Sequence, residues 1–300
     1  MSKREYILRY LSIMKKLRKS NYATFEEISS FLELESDRYS FELNISKRTF
    51  QRDLNEIRTL FNMDIRFDQS KKAYYIDDDE ESDANNRMLE AFDMFNSLNM
   101  TDKVAPYMIF EKRRPKGIEN LNGLLHSIKN HLVIGFTYKK FWDDDISQRI
   151  VEPLALKESR YRWYLIATDL KDGTIKSFGL DRIFDLEITK KNFDYPIGFD
   201  ANEMFRNSFG IINKPGESAE KVVVSFNVFH GKFVKSFPFH HSQKILIDDK
   251  KEFRIELKIQ ITEDFIMELM SFGDNLQIIS PKKLKNEFCR ILKNGLEKNK

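Results

Sequence analysis

The chain has 300 residues, 41% of them hydrophobic and 32% charged, which is typical of a globular protein of two or three domains. The net charge of +3 excludes a polycation that binds acidic partners over its whole surface. No apolar run predicts a membrane span or a signal peptide, and the single cysteine, Cys289, excludes an internal disulfide. We therefore expect a cytoplasmic protein without a membrane partner.

Three helices are predicted in the first sixty residues. Residues 4–19 carry apolar side chains at helical spacing. Thr24 and Glu27 have the spacing of a capping box and predict the start of a second helix, and Ser46 is a suitable N-cap for a third. The connection between the second and third helices is long for a helix-turn-helix, so we expect it to contain an extra turn of helix.

Two strand-like runs follow the third helix, at residues 65–68 and 73–76, joined by a polar turn. Three helices followed by a hairpin predict a winged helix-turn-helix domain over residues 1–76. This segment holds 15 Lys and Arg against 11 Asp and Glu, which makes it basic.

The third helix has one apolar face, which includes Phe50, and one polar face opposite to it. Arginine reads guanine edges, and asparagine or glutamine reads adenine, so the polar face is predicted to read DNA. The alternative is a solvated charged face. The candidate DNA-binding residues are those of the face, the first turn and the wing tip: Arg48, Gln51, Arg52 and Asn55, then Lys47 and Thr49, then Lys71 and Lys72.

An acidic run at residues 77–83 predicts a domain boundary, because six carboxylates and no base repel one another. With the helical pattern over 85–110 and the basic stretch 111–117, it predicts an acidic and helical linker over residues 77–118.

From Leu132 the apolar period changes to two, and strand-like runs continue to about Phe193. This pattern predicts a small SH3-like β-barrel over residues 119–193. Residues 194–216 read as a connection rich in Gly and Pro. Residues 217–300 alternate strands and helices and predict a C-terminal α+β domain. The fold class is therefore multidomain α+β.

The stretch 162–183 places Lys176 and Arg182 on strands that are dense in aromatic residues. Positive charge beside aromatic rings suits an anionic, nucleotide-like ligand. Trp163 and Leu165 alternate on one strand face and are predicted to lie in the barrel core, whereas Tyr164 points the other way and is either a ligand stack or a surface aromatic.

Three sequence elements resemble the WYL domain, a ligand-sensing module of bacterial transcription regulators. They are the Trp163-Tyr164-Leu165 triplet with the following Phe178-Gly179-Leu180-Asp181-Arg182-Ile183, the run Arg149-Ile150-Val151-Glu152-Pro153-Leu154, and Ile134-Gly135-Phe136-Thr137-Tyr138. The resemblance implies a barrel that binds a nucleic-acid or nucleotide effector. The implied ligand-binding residues are Tyr138, Arg149, Tyr164, Lys176 and Arg182.

Alternative roles stay open for two of these arginines. Arg149 could bond a strand edge, and Arg182 could pair with Asp181 or Asp185. The chain also departs from the family pattern, because Lys176 and Gly179 stand where arginines are common. Lysine lacks the bidentate fork with which arginine grips phosphate, and glycine removes a charge.

The third helix resembles the winged helix-turn-helix of such regulators in Ser46, Thr49, Arg52, Asp53 and Leu54. The resemblance implies that the Asp53 carboxylate pairs with a nearby basic side chain and does not contact DNA. Residues 220–290, with the run Leu269–Pro281, resemble the extension domain that often follows a WYL barrel and that is thought to form dimer contacts. Together these features predict a homodimer that binds a palindromic operator in double-stranded DNA and regulates transcription in response to a ligand.

Enzyme motifs are not found: the sequence has no nucleotide-binding Gly loop, no Gly-x-Ser-x-Gly and no His-Glu-x-x-His. The neighbours His240 and His241 would point to opposite faces of a strand, and Asp143-Asp144-Asp145 reads as a turn rather than a nuclease site. We expect no catalytic residue, metal or cofactor. The alternative function is a nucleic-acid-binding adaptor or accessory protein without a promoter target.

Overall fold

The computed structural model describes residues 3–39, 41–77, 91, 117–141 and 146–300. The chain divides into two compact units, Met1–Glu111 and Lys112–Lys300. Helices and antiparallel sheets occur in both units, which confirms the predicted multidomain α+β class. The predicted linker lies almost entirely outside the described residues, as does the Asp143-Asp144-Asp145 turn, and the predicted domain boundaries stay predictions.

The first unit contains the three predicted helices and the predicted hairpin. In chain order its elements are α1 (Lys3–Ser20), α2 (Phe25–Tyr39), α3 (Lys47–Phe61), β1 (Asp64–Asp68) and β2 (Ala73–Asp77). The helices pack around a single apolar core, and β2 is tied back to the chain before α2 by two hydrogen bonds between Ala23 and Tyr74.

The start and the length of α2 follow the sequence signals. The Thr24 hydroxyl accepts a hydrogen bond from the Glu27 N–H, and the Glu27 carboxylate accepts one from the Thr24 N–H, so the capping box is formed. The extra turn expected in the long connection is confirmed, because α2 extends to Tyr39. The Ser36 hydroxyl then accepts the Leu43 N–H at 2.9 Å and fixes the loop before α3.

The second unit begins with an antiparallel five-stranded sheet. If its strands are numbered 1 to 5 along the chain, they lie side by side in the order 5-1-2-3-4, which is that of small barrels. One helix packs on its apolar face. Of the predicted core residues, Leu165 lies in that core and Trp163 is partly buried and packs against it. The elements are α4 (Leu121–Lys129), β3 (Leu132–Lys139), β4 (Ile146–Ser159), β5 (Arg162–Asp169), β6 (Thr174–Gly179) and β7 (Ile183–Asn192).

The C-terminal part of the second unit is a four-stranded antiparallel sheet in the order β11-β8-β10-β9. Strands and helices alternate as β-α-β-β-α-β, the split β-α-β arrangement of ferredoxin-like folds. A short helix precedes it and a long one follows. The elements are α5 (Ala201–Phe205), β8 (Glu220–Phe226), α6 (Val228–Ser236), β9 (Lys244–Asp248), β10 (Phe253–Ile259), α7 (Glu263–Met270), β11 (Leu276–Ser280) and α8 (Lys282–Lys298).

Two of these elements are absent from the sequence-based prediction. The strand β8 ends at Phe226, and the two unpredicted elements, α6 and β9, follow it. Gly231 disfavours a helix by its propensity, but a Cβ there would come within 2.2 Å of the Phe253 Cβ, so the glycine lets α6 pack closely on β10. None of the helices in the described part of the chain is both long and apolar enough to cross a bilayer.

Candidate functional site

The third helix, α3, has a fixed N-terminus and one fully buried face. Ser46 caps it by accepting the Thr49 N–H at 3.2 Å, and Phe50, Asp53 and Ile57 are buried on its inner side. The predicted DNA-reading residues lie on the other side. Lys47, Arg48, Gln51, Arg52 and Asn55 are exposed, and Thr49 is half-buried with its hydroxyl 3.0 Å from that of Ser46.

A buried ion pair joins α3 to α1. The Arg9 Nε donates to Asp53 Oδ2 at 2.7 Å, and both side chains are fully buried. The structure therefore shows the role implied for Asp53, which is a structural ion pair with a nearby basic side chain. The pair lies on the same buried side of α3 as Phe50 and Ile57, so it connects that side of the helix to α1.

Two of the outward side chains are also oriented by neighbours. The Gln51 side-chain amide donates to the Tyr74 hydroxyl at 2.9 Å, which ties α3 to the wing. The Arg52 guanidinium carbon lies 5.8 Å from the centre of the Tyr6 ring and one of its nitrogens is 3.7 Å from Asp53 Oδ1. Arg52 therefore leaves the helix in a defined direction.

The wing tip is a turn held by Asp68. Its carboxylate accepts the N–H groups of Ser70 and Lys71 at 2.8 and 3.1 Å. Lys71 and Lys72 are exposed, and the Lys71 ammonium lies 3.4 Å from the centre of the Tyr22 ring. Both lysines are thus presented to solvent at the tip, where a duplex backbone could bind.

A cleft of about 490 Å³ lies on the five-stranded sheet of the second unit. Its walls combine three of the predicted ligand residues, Tyr138, Arg149 and Lys176, with three residues not singled out from the sequence. Those three are Lys140, Ser177 and Phe178. Lys140 and Ser177 were missed because they stand outside the motifs, and Ser177 carries no alternation signal, since neighbours on a strand point to opposite faces.

Two of the three cations of the cleft, Arg149 and Lys176, are paired with aspartates. The buried carboxylate of Asp169 accepts Arg149 Nη1 at 2.9 Å and Lys176 Nζ at 2.8 Å. Lys176 also binds the more exposed Asp172, in the β5–β6 turn, at 2.5 Å. Two roles were left open for Arg149, a structural one and a ligand-binding one. Its guanidinium binds a carboxylate inside the sheet, which is structural, and it also lines the cleft.

The pairing shifts the ionisation of this cluster. Burial alone would raise the pKa of Asp169, but the hydrogen bond from Lys176, the Lys171 N–H and two neighbouring cations outweigh it and lower that pKa. Hydrogen bonds from Lys176 and Thr174 hold the pKa of Asp172 far below its ordinary value. Burial alone would lower the pKa of Lys176, but its hydrogen bonds to Asp169 and Asp172 outweigh burial and raise that pKa. The cluster is fully ionised around neutral pH.

Arg182 lies on aromatic rings rather than in the ion cluster. Its guanidinium carbon is 5.2 Å from the centre of the Tyr138 ring and 4.3 Å from that of Phe141. The nearest Asp181 oxygen is 3.7 Å from Arg182 Nε, too far for a hydrogen bond, and Arg162 binds the other Asp181 oxygen at 3.1 Å. Phe141 is 64% exposed, so this aromatic-cation cluster opens to solvent.

Gly179 makes room for that arrangement. A Cβ at this position would lie 2.6 Å from a guanidinium nitrogen of Arg182. The Gly179 N–H donates to the Tyr138 hydroxyl at 3.2 Å, and burial raises the pKa of that phenol. The glycine thus allows Arg182 to cover the ring of Tyr138.

Tyr164, the fifth predicted ligand residue, does not line the cleft, although it lies opposite Gly179 of β6. It is half-buried on β5, opposite Lys157 on β4, and burial raises its pKa. Of the five, Tyr138, Arg149 and Lys176 come together in the cleft, and Arg182 joins them through Tyr138.

A metal centre is not formed by the residues that the structure describes, since no group of three or more His, Cys, Asp or Glu side chains is arranged to hold an ion. His240 instead bonds the Arg206 carbonyl through Nε2 at 2.8 Å and the Ser242 hydroxyl through Nδ1 at 2.7 Å. Its adjacent partner His241 follows in a turn and not in a strand.

Comparison with protein families matches two segments of the second unit. Residues 119–188, which form the five-stranded sheet and its helix, match the WYL domain, and residues 218–296 match the WCX domain. The chain carries a WYL domain followed by a WCX domain. The resemblance inferred from the Trp163-Tyr164-Leu165 motif is thereby confirmed, and the cleft belongs to the WYL domain.

Solved structures resemble the chain only loosely. A Proteasome accessory factor B/C (PafBC) of Arthrobacter aurescens shares 16% identity over 97% of this chain, with a TM-score of 0.35. The chain spans 46% of the length of that protein. A CRISPR Cas-related protein shares 11% identity over 97% of this chain and 92% of its own, with a TM-score of 0.38. No curated protein gives a significant match.

Proposed function

We propose that this protein is a cytoplasmic, ligand-responsive regulator of transcription that binds double-stranded DNA as a homodimer. The observation that carries the proposal is the outer face of α3. A helix capped by Ser46 and fixed by the buried Arg9–Asp53 pair presents Arg48, Arg52 and neighbouring amide side chains to solvent, beside a wing with a basic tip.

The WYL cleft supplies the proposed effector site. Arg149, Lys176 and Lys140 contribute cationic groups, and Phe141 offers an exposed ring next to Arg182. Cations bind phosphate and an exposed ring can stack on a base, so the proposed effector is a nucleotide or a short nucleic acid. Such a ligand would regulate DNA binding only if it binds the two DNA-affinity states differently.

Selection of duplex sites from a random library, with and without a cellular nucleotide extract, tests this function. A regulator selects a palindrome whose half-sites lie about 34 Å apart, or a multiple of this, and the extract changes its occupancy. We expect Arg52→Ala to abolish protection of the selected site in footprinting, while Arg290→Ala, an equal loss of charge on α8, leaves it unchanged. Protection by Arg52→Ala protein would overturn the assigned recognition helix.

A second candidate function is a nucleic-acid adaptor without a promoter target. The exposed Phe141 ring between two arginines favours it, because unpaired bases stack on such rings. Salt-sensitive binding of single strands, with no duplex site selected, would support this function instead.

We further propose that the protein acts by binding and not by catalysis, without a cofactor or metal. The sequence supports this through its lack of nucleotide-loop, hydrolase and zinc-protease motifs. Metal-dependent cleavage of nucleic acid that is lost on replacing Asp143, Asp144 and Asp145 by Ala would contradict it.

A further inference from the structure

The helix α8 and the two residues after it carry an excess of positive charge. Residues 282–300 hold seven Lys and Arg against two Asp and Glu, which gives this segment a charge of +5. Residues 77–281, between α8 and the basic segment 1–76, hold 28 Lys and Arg against 34 Asp and Glu and are acidic. Positive charge is therefore concentrated in two separate parts of the chain, and only the first of them has been given a role above.

Three of these cations form a row on one face of α8, which we call the lysine stripe: Lys282, Lys285 and Lys293. At 100° per residue they fall within an arc of about 80°, and at 1.5 Å per residue the row is about 16 Å long. All three are exposed, whereas Leu284 and Phe288 are buried on another side of the helix. The stripe is therefore a straight, solvent-facing line of charge.

The stability of the fold does not account for the lysine stripe. Lys282 and Lys285 lie at the start of α8, whose first turn has no acidic residue, and cations at that end of a helix oppose its dipole. Within the described part of the chain no carboxylate pairs with the three lysines, whereas Arg290, on a different face of α8, binds Glu287 at 2.6 Å. These charges are thus left available to a partner.

We propose that the lysine stripe binds the phosphate backbone of duplex DNA, so that the WCX domain contacts DNA itself. Contacts of lysine to phosphate add affinity without reading sequence. In this arrangement α3 selects the site, and α8 holds the chain on any duplex by releasing counterions from the backbone. The inference rests on the duplex DNA partner proposed above and adds a second element that contacts it.

The chemistry of α8 favours a duplex over other anionic partners. A straight row of this length matches about five base steps of a duplex, at about 3.4 Å each. Single strands are held by exposed aromatic rings, and Phe288, the aromatic residue of α8, is buried. An anionic membrane binds a helix through a broad apolar face, but α8 packs that face on the WCX core and leaves only Leu292 and Leu296 exposed.

Salt titration of the full-length chain with a labelled random-sequence duplex tests the lysine stripe. Each phosphate contact contributes about 0.9 to the slope of log affinity against log salt, so replacing the three lysines by glutamine should reduce that slope by about 2 to 3. The matched control removes three exposed lysines of the WYL domain and should leave the slope unchanged. Its substitutions are Lys129→Gln, Lys190→Gln and Lys191→Gln.

Photo-cross-linking from Cys289 tests the same face directly. This exposed residue is the single cysteine of the chain and lies in the arc of the lysine stripe, between Lys285 and Lys293. After alkylation with a short aryl azide, irradiation should cross-link the chain to the random-sequence duplex. Asn294→Cys combined with Cys289→Ser moves the probe to an exposed position about 140° around the helix and should cross-link far less.

The outcomes separate this inference from the proposed function. An unchanged slope in the stripe variant, or an equal loss in the control, overturns the lysine stripe as a DNA contact and leaves recognition by α3 standing. Binding to phosphatidylserine vesicles that only the stripe variant loses, without a change in the DNA slope, assigns the stripe to a membrane and also overturns the inference. Failure to select a duplex site, with a slope that still depends on the stripe, overturns the recognition helix alone.

Discussion

Asp53 of α3 accepts a 2.7 Å hydrogen bond from the Arg9 guanidinium of α1, with both side chains fully buried. The charge that holds the helix lies directly beside the exposed Arg52 that is proposed to read DNA. The structural ion pair and the proposed DNA contact therefore involve adjacent residues of one helix.

Replacing Asp53 by Asn should destabilise the first unit by about 3–5 kcal/mol, because it removes the buried carboxylate that accepts the hydrogen bond from the Arg9 guanidinium. Replacing both partners, as Arg9→Met with Asp53→Leu, should cost much less. Both tryptophans belong to the second unit, so urea unfolding is best followed by far-ultraviolet circular dichroism. A loss below about 1 kcal/mol for Asp53→Asn would contradict the structural role of the pair.

The wing lysines should contribute to DNA affinity without contributing to sequence specificity. Lys71→Ala and Lys72→Ala are each expected to weaken binding to all duplexes alike, and to reduce the slope of log affinity against log salt by about 1. Titrations at several salt concentrations, with the selected site and with unrelated DNA, measure both quantities. An unchanged slope in the double variant would exclude phosphate contact by the wing.

Asp172 should oppose binding of an anionic ligand, since its carboxylate already accepts a hydrogen bond from the Lys176 ammonium. We expect Asp172→Asn to tighten binding of a short single-stranded oligonucleotide about three- to fivefold, the range for loss of one exposed ion pair. Calorimetry at fixed ionic strength measures the effect. Asp274→Asn, which removes the same charge from the WCX domain, is the control, and equal gains in both variants would indicate a nonspecific charge effect.

Gly179 and Arg182 should act as one unit in ligand binding. Gly179→Ala keeps an allowed backbone, with φ of −64°, but its Cβ displaces the Arg182 guanidinium from the Tyr138 ring. We expect Gly179→Ala and Arg182→Ala to weaken oligonucleotide binding to a similar degree, and the double variant to be no weaker than either. Additive losses in fluorescence polarisation would show that the two residues act separately. Gly179→Arg should likewise do more than add a positive charge, because its Cβ would also displace the Arg182 guanidinium.

The Asp169 cluster should stabilise the second unit over a defined pH range. The pKa values of Asp169 and Asp172 are lowered by folding, so their contribution is complete above the unfolded value of about 3.9 and is lost as pH falls through the folded values. The pKa of Lys176 is raised, so its contribution is complete below about 10.4 and is lost as pH rises through the folded value. The unfolding free-energy difference between wild type and Asp169→Asn, followed by tryptophan fluorescence, should be constant near neutrality and shrink in acid.

Much of the fold follows from local signals in the sequence. The Thr24–Glu27 capping box, the Ser46 cap and the alternation from Leu132 to Tyr138 each depend on residues close together in the chain, and each predicted element is found. The helix α6 was missed because its glycine is explained only by contact with Phe253, which is distant in sequence.

The same limit applies to the ligand site. Motif matching pointed to Arg149 and Lys176, but nothing local to either residue indicates that Asp169 binds both. That relationship depends on the antiparallel register of β4, β5 and β6, which brings three separate segments together. The charge of each residue could be predicted from the sequence. The ion pairs of Asp169 with Arg149 and Lys176 could be found only from the tertiary structure.

Asp169 gives the cleft a property that a row of unpaired cations would lack. An anion that binds Arg149 or Lys176 in the cleft must displace the Asp169 carboxylate that already pairs with them. Chloride and other weakly bound monovalent ions of the cell gain too little from that exchange, whereas a phosphate carries enough charge and enough acceptor oxygens to compete. In the proposed effector site, the buried aspartate would thus favour a phosphate ligand over abundant small anions.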